Sequence, residues 1–414
     1  MSPLRILIVS MVTPLPLKAG GRVRVFNLLK RLAPRHRVTL LCLVDSDEEF
    51  AAHRAELEIL CERVIGVRWR PGLQGLIGRV MRAGALGLRL PVVTLNKRSP
   101  KLAAVLRGLL RDERFDVVQI EWIQMAQHVA AEDFPLLARH GVLVEHDVAW
   151  IPLDRRAALA SGAARWFWRR EARLMRSFET GMAARCAHVV AVSPDDAARL
   201  QDQGLRNVSV VPNGVDVAYY RGDRAPAKDS RTLIFIGWLR HDPNVDGLLF
   251  FLNEIWPLVL RDEPDARLVV VGAPVPAVER AAARASRVEL AGYVPDVRPR
   301  LRAAAASVVP LRVGGGTRLK ILESMAAGTA VVSTSVGCEG LGLEPDRHLI
   351  VADEPGAFAA GVVRLLRDPA LRQRLERDAF AVVTARYDWS NMADRMDEVY
   401  RRVAAGASNS GKVP

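Results

Sequence analysis

The richest chemistry in the 414-residue chain lies in Pro310 to Gly328, PLRVGGGTRLKILESMAAG. An apolar, strand-like run ends at Leu311, then come Gly314, Gly315 and Gly316, and Thr317 stands where it would cap the next helix. Glycine lets a phosphate approach the backbone closely, and a helix N-terminus offers free N–H groups and a positive dipole end. Arg318 and Lys320 then fall in the first helical turn, where that dipole disfavours cations. A local rule broken beside a glycine loop is what an anion site produces. Helical projection sets Leu319, Ile321, Leu322, Met325 and Ala326 on one apolar arc, with Lys320 and Glu323 together on the opposite face. From the residues alone, Glu323 is either a ligand-facing carboxylate or half of a surface ion pair with Lys320.

Other candidates are more isolated. Glu121 closes the apolar run VVQIE at a strand's C-terminal edge, where open α/β sheets place ligands; an acceptor-side role and a structural hydrogen bond both fit. His146 follows VLVE as a loop histidine. Asp45-Ser46-Asp47 looks like a metal-binding Asp-x-Asp, but Glu48 and Glu49 follow it, so it reads as the cap and first turn of a helix. The remaining histidines and the four cysteines, Cys42, Cys61, Cys186 and Cys338, have neither metal-ligand nor redox spacing. No metal and no resident cofactor is expected, and a reducing cytoplasm suits the cysteines.

Short apolar runs alternate with amphipathic stretches, the pattern of parallel sheets covered on both faces. Strands are expected at Arg5–Ser10, Arg37–Leu43, Arg63–Trp69, Asp116–Trp122, Val142–His146, His188–Ser193 and Val208–Val211. Helices are expected at Val23–Leu32 and Lys101–Leu110, with a long helical region from Arg155 to Ala184. After a linker-like stretch, Arg221 to Ser230, strands resume at Leu233–Gly237, Arg267–Gly272, Val288–Leu290, Ser307–Leu311, Ala330–Thr334 and Leu349–Ala352. The α/β expectation is therefore two Rossmann-like domains facing each other across a cleft, residues 1–212 and 213–387. A C-terminal helix over 388–405 would pack back on the first domain, and 406–414 would fray.

The net charge of +13 points to an anionic partner, yet no nucleic-acid motif is present. Trp166, Phe167 and Trp168, interleaved with Arg165, Arg169 and Arg170, either meet anionic lipid headgroups or pack inward from a solvated helix. No apolar run approaches spanning length.

GGGTRLKILESMAAG followed by AVVSTSVGCEGL resembles the donor-binding signature of glycosyltransferase family 4, of the GT-B fold. PLPLKAGGRVRVFNLLKRL, VVQIEW, VLVEHDVAW, VVAVSPDD, VVPNGVDV, FIGWLRHDPNVDG, ARLVVVG and VELAGYVPDV match in the same order, so the likeness covers most of the chain. It is similar above all to the bacterial branch that builds exopolysaccharides and other envelope glycans.

The resemblance implies a retaining, metal-independent transferase that moves a sugar from a nucleotide-sugar donor to a glycan or lipid-linked acceptor. The cysteines place the protein in the cytoplasm, and the basic, aromatic stretch around Trp166 would hold it peripherally on the inner face of the plasma membrane. Glu323 aligns with the carboxylate that holds the donor ribose, and Gly314 to Thr317 with the diphosphate loop. Tyr293 and Val294 border the nucleobase, Gly237 lies in the donor site, and Gly20 and Gly21 match a loop closing over the phosphates. His146 falls where the family places a histidine near the transferred sugar. Two positions depart: Gly315 replaces a glutamate eight positions before Glu323, and Trp238 and Pro243 replace a basic pair. Arg318 and Lys320, or Arg240, are the candidates to restore that charge. A silent nucleotide-sugar-binding subunit and a sugar-nucleotide epimerase are the alternatives.

Overall fold

The computed structural model describes residues 2–17, 20–69, 91–222, 228–313 and 318–410. It divides into two compact units, Met1–Pro212 with Met392–Pro414, and Asn213–Asn391. The first unit carries seven parallel strands: β1 (Arg5–Ser10), β2 (Arg37–Val44), β3 (Arg63–Arg68), β4 (Val117–Glu121), β5 (Gly141–Glu145), β6 (His188–Ala191) and β7 (Val208–Val210). The second carries six: β8 (Asp229–Ile236), β9 (Arg267–Val271), β10 (Val288–Gly292), β11 (Ala304–Val309), β12 (Ala330–Ser333) and β13 (Ile350–Val351).

The sheets run β3-β2-β1-β4-β5-β6-β7 and β10-β9-β8-β11-β12-β13. Counted from its own first strand, each reverses direction of winding between its first and fourth strands, at β1/β4 and β8/β11. At such a switch point the loops leave to opposite faces and open a crevice at the carboxyl ends. The strands are apolar on both faces because helices cover both; β5, β6, β11 and β12 are buried along their whole length. Leu7, Leu41, Ile120, Leu143 and Met175 centre one core, and Phe235, Trp256, Val270, Val308 and Phe358 the other.

Several helices differ from expectation. Helix α1 spans Gly20–Leu32, so Gly20 and Gly21 are its first turn and not a loop ahead of it. The long region after Arg155 is two helices, α2 (Trp150–Leu159) and α3 (Gly162–Ala183). Gly162 at φ +53 leaves right-handed helical space and separates them. The expected linker gives Asp229 and Ser230 to β8; residues 223–227 are outside the described set. In the second unit α4 (Asp242–Phe250) follows β8, and α5 (Leu319–Ala326) precedes β12. The last helix, α6 (Trp389–Ser410), runs past the residue 406 at which fraying was expected. Its buried Met392, Met396, Val399, Tyr400 and Val403 supply the packing that carries it onward.

The β8/β9 edge rests on one close approach. Gly272 has φ +142, and a Cβ there would stand 2.0 Å from the Gly237 carbonyl oxygen. Gly272→Ala should therefore lower the unfolding free energy by about 2 kcal/mol or more. Urea unfolding followed in the second unit checks this, and an unchanged midpoint would refute the contact.

Candidate functional site

Next to the β1/β4 switch point of the first unit, β4 and β5 lie side by side, with Glu121 opposite Val144, and deliver Glu121 and His146 to the same edge. His146 Nε2 is 2.5 Å from Glu121 Oε2. The Trp122 indole stacks on the imidazole, 3.7 Å between centroids and 12° between planes. Trp122 has φ +67, an unusual and strained backbone for a bulky residue, of the kind that concentrates at functional sites. The same indole explains Gly21: a Cβ there would come within 2.4 Å of Trp122 Cζ2. Glycine at this position lets the start of α1 pack on the ring.

Burial pushes the His146 imidazole below its ordinary pKa, and the Glu121 carboxylate opposes the shift without cancelling it. Glu121 is 1% exposed, so it is not open to an acceptor as its strand-end position suggested. Its second oxygen accepts from Gln119 Nε2 at 2.5 Å. Arg24 is fully buried beside it and donates from Nη1 to the Pro212 carbonyl at 2.9 Å. Burial draws the Arg24 guanidinium down to about 10, with Glu121 and Tyr400 pulling the other way.

The second unit has its own constellation at the ends of β8 and β11. Lys320 Nζ donates to Asn244 Oδ1 at 2.7 Å, and Asn244 Nδ2 donates to the Trp238 carbonyl at 3.0 Å. The ammonium also lies 5.0 Å over the Phe235 ring. Burial first, and the neighbouring Arg318 second, push Lys320 down to about 7, while Glu323 pulls upward. His241 feels the same cations; burial, Lys320 and Arg318 all lower its pKa. The Glu323 carboxyl is raised by burial and partly restored by a hydrogen bond from the Tyr220 hydroxyl and by Lys320.

Lys320 and Glu323 thus do not form a solvated outer face of α5. Both are half-buried under neighbouring segments, Asn244 over one and Tyr220 over the other. Arg318 precedes the helix as its cap residue and is 8% exposed, so the helix begins at Leu319. Gly314, Gly315, Gly316 and Thr317 lie outside the described residues. Gly237 follows β8 directly, and its N–H donates to the Val271 carbonyl at 3.0 Å. Tyr293 and Val294 follow β10; Tyr293 is 76% exposed and Val294 half-buried. Arg240 is exposed. Ser46 accepts from the Glu49 N–H, the helix cap expected of Asp45-Ser46-Asp47, and Asp45 pairs with Arg22 at 3.5 Å.

Sequence reasoning missed Trp122, Arg24, Tyr220, His241 and Asn244. Arg24 left one legible signal, a charge four residues before Leu28 on the apolar stripe of α1. The others stand in turns or short helices, where burial has no periodic signature.

The family model described as Glycosyltransferase Family 4 matches residues 19–219, and that described as Glycosyl transferases group 1 matches residues 230–368. The chain belongs to glycosyltransferase family 4. It is 32% identical over 234 residues to a phosphatidyl-myo-inositol mannosyltransferase of Mycobacterium tuberculosis, covering 53% of this chain and 60% of the relative. It is 27% identical over 424 residues to a glycogen synthase of the same organism, covering 97% and 96% of the two chains. Among solved structures, HepE of Anabaena in complex with UDP superposes with a TM-score of 0.69 at 15% identity, over 96% of this chain and 100% of that one. The two parallel sheets of this family 4 chain therefore form the GT-B fold.

In this family 4 chain the buried Lys320 ammonium costs stability. The unfolded side chain stays protonated up to its ordinary 10.5, the folded one only to about 7, so the cost is complete below pH 7 and vanishes above 10.5. The whole shift is worth about 5 kcal/mol; access to solvent and the Asn244 bond reduce this to roughly 1–3 kcal/mol. Lys320→Met should stabilise the second unit by that amount at pH 6–7, with the gain fading toward pH 10. Unfolding curves across this range test it; a destabilised Lys320→Met at pH 6 would show a fully compensated cation.

Proposed function

We propose that the chain is a retaining transferase that moves a sugar from a nucleoside-diphosphate sugar to a glycan or lipid-linked acceptor in bacterial envelope glycan synthesis. The observation that carries this reading is the cluster around Lys320. A cation held desolvated, with Arg318 and His241 close by and a raised carboxyl at Glu323, is a site waiting for an anion with neighbouring hydroxyls. The diphosphate supplies the anion and the ribose the hydroxyls, which Glu323 accepts from while Tyr220 holds it. HepE, with UDP in its crystal structure, supports the nucleotide assignment. A mannosyltransferase named for a phosphatidylinositol supports a lipid-linked acceptor.

Departure of the nucleoside diphosphate builds negative charge on its terminal phosphate and positive character on the sugar. Preorganised cations stabilise the first; we assign that role to Lys320 and Arg318 in place of the pair replaced by Trp238 and Pro243, and in place of a metal. His146 takes the position beside the transferred sugar, and a phosphate oxygen of the donor takes the acceptor's proton on the attacked face. The first unit also fits an anionic membrane. Trp166 is 62% and Leu159 89% exposed beside the arginines of α3, and no described helix is long and apolar enough to cross a bilayer.

Two outcomes are expected. Glu323→Ala should weaken binding of UDP or a related nucleoside diphosphate by about 1.5–3 kcal/mol, read by calorimetry; unchanged affinity in a folded variant would remove the ribose assignment. Lys320→Gln or Arg318→Gln should lower turnover about a hundredfold, Arg240→Gln should leave it near normal, and all wild-type turnover should survive exhaustive chelation. Loss on chelation with rescue by magnesium or manganese would overturn the charge assignment.

A further inference from the structure

The imidazole beside the proposed sugar site is backed by a buried chain of polar groups that none of the matched motifs contains in full. Tyr400, on α6, is 1% exposed and donates from its hydroxyl to Gln119 Oε1 at 2.5 Å. Gln119, 2% exposed in the middle of β4, donates from Nε2 to Glu121 Oε1 at 2.5 Å. Glu121 Oε2 meets His146 Nε2 at 2.5 Å. Arg24 flanks the chain, facing both Glu121 and Tyr400. Every member belongs to the first unit.

Donor and acceptor capacities leave this chain one direction. An ionised carboxylate only accepts, so Glu121 requires the amide nitrogen of Gln119 on one oxygen and a ring N–H on the other. The amide oxygen of Gln119 then needs a donor, which in this buried place is the Tyr400 hydroxyl. With Gln119 so oriented, Glu121 demands the proton of His146 on Nε2 and leaves Nδ1 as the basic nitrogen of the neutral ring. We propose that Tyr400 and Gln119 are positioning residues that fix the tautomer and orientation of His146 through Glu121, coupling the C-terminal helix to the reacting sugar. This rests on the reading of His146 as the sugar-side group.

Two further features suit the assignment. The Trp122 indole stacked on the ring leaves its in-plane nitrogens as the groups that choose an orientation. Tyr400 lies 281 residues from Gln119 in sequence, so the link exists only when α6 is docked. A transferase whose last helix is displaced should then keep its donor site in the second unit and lose the competent form of His146.

Nitrogen-15 NMR of ring-labelled histidine in the full chain reads the tautomer directly. Wild type should show His146 protonated on Nε2 at pH 8. Tyr400→Phe, which keeps the ring and its packing, should mix the tautomers and lower kcat about tenfold while the donor KM stays unchanged. Glu121→Gln should lower the His146 pKa and cut kcat about a hundredfold or more. Gln119→Leu, compared at matched melting temperature, should behave like Tyr400→Phe. If tautomer and pKa are the same in all variants, the relay is wrong whatever the turnover. If the tautomer shifts as described but His146→Ala turns over normally, the relay stands and the sugar-side role of His146 fails.

Discussion

Everything chemical in this molecule depends on parallel strand pairing with both sheet faces covered. Such a sheet has no open face, so polar side chains can reach a ligand only from the edge where the strands end. Reversal of winding at β1/β4 and at β8/β11 opens that edge, because the connections leave toward opposite sides. Glu121, Trp122 and His146 collect at one opening, Gly237, Asn244 and the start of α5 at the other. The same topology, used twice, yields a carboxylate–imidazole pair in one unit and a cation cluster in the other.

Burial of charge then sets the character of each site. A desolvated ion is expensive unless it is paired or its protonation changes. In the first unit the answer is pairing: Glu121 has a hydrogen-bond donor on each oxygen, and Arg24 stands close to it. In the second unit the answer is a depressed pKa at Lys320 and a raised one at Glu323, because Asn244 and Tyr220 supply only neutral dipoles. The first arrangement meets both carboxylate oxygens of Glu121 from within its own unit. The second is left short of negative charge, and in the proposed function the donor's diphosphate provides it.

The glycines divide along the same line. Gly272 allows two strand ends to touch, and Gly21 allows a helix start to touch an indole. Both matter because backbone must come close where side chains converge. Trp122 shows the converse, a large residue at positive φ whose indole stacks on the His146 ring.

Periodicity and punctuation in the sequence determined where the strands lie, since a run such as Val117–Glu121 buried on both faces has few other conformations. The segment from Pro310 to Gly328 likewise announced an anion site through glycines beside misplaced cations, which is a purely local contradiction. Tertiary structure decided what those residues face. Helical projection left Glu323 between a ligand-facing carboxylate and a surface ion pair with Lys320, because it sees only their own helix; Asn244 and Tyr220, which cover them, arrive from elsewhere in the chain. The resemblance made Gly20 and Gly21 a loop closing over the phosphates; an indole contributed by Trp122 makes glycine the residue that fits at 21, inside the first turn of a helix. For Glu121 the sequence left an acceptor-side role and a structural hydrogen bond both open, since Gln119 is two residues away on its own strand but Tyr400 comes from the final helix. Local pattern encodes which element forms; desolvation and hydrogen-bond partnership are properties of the space between elements, and only the packed fold creates that space.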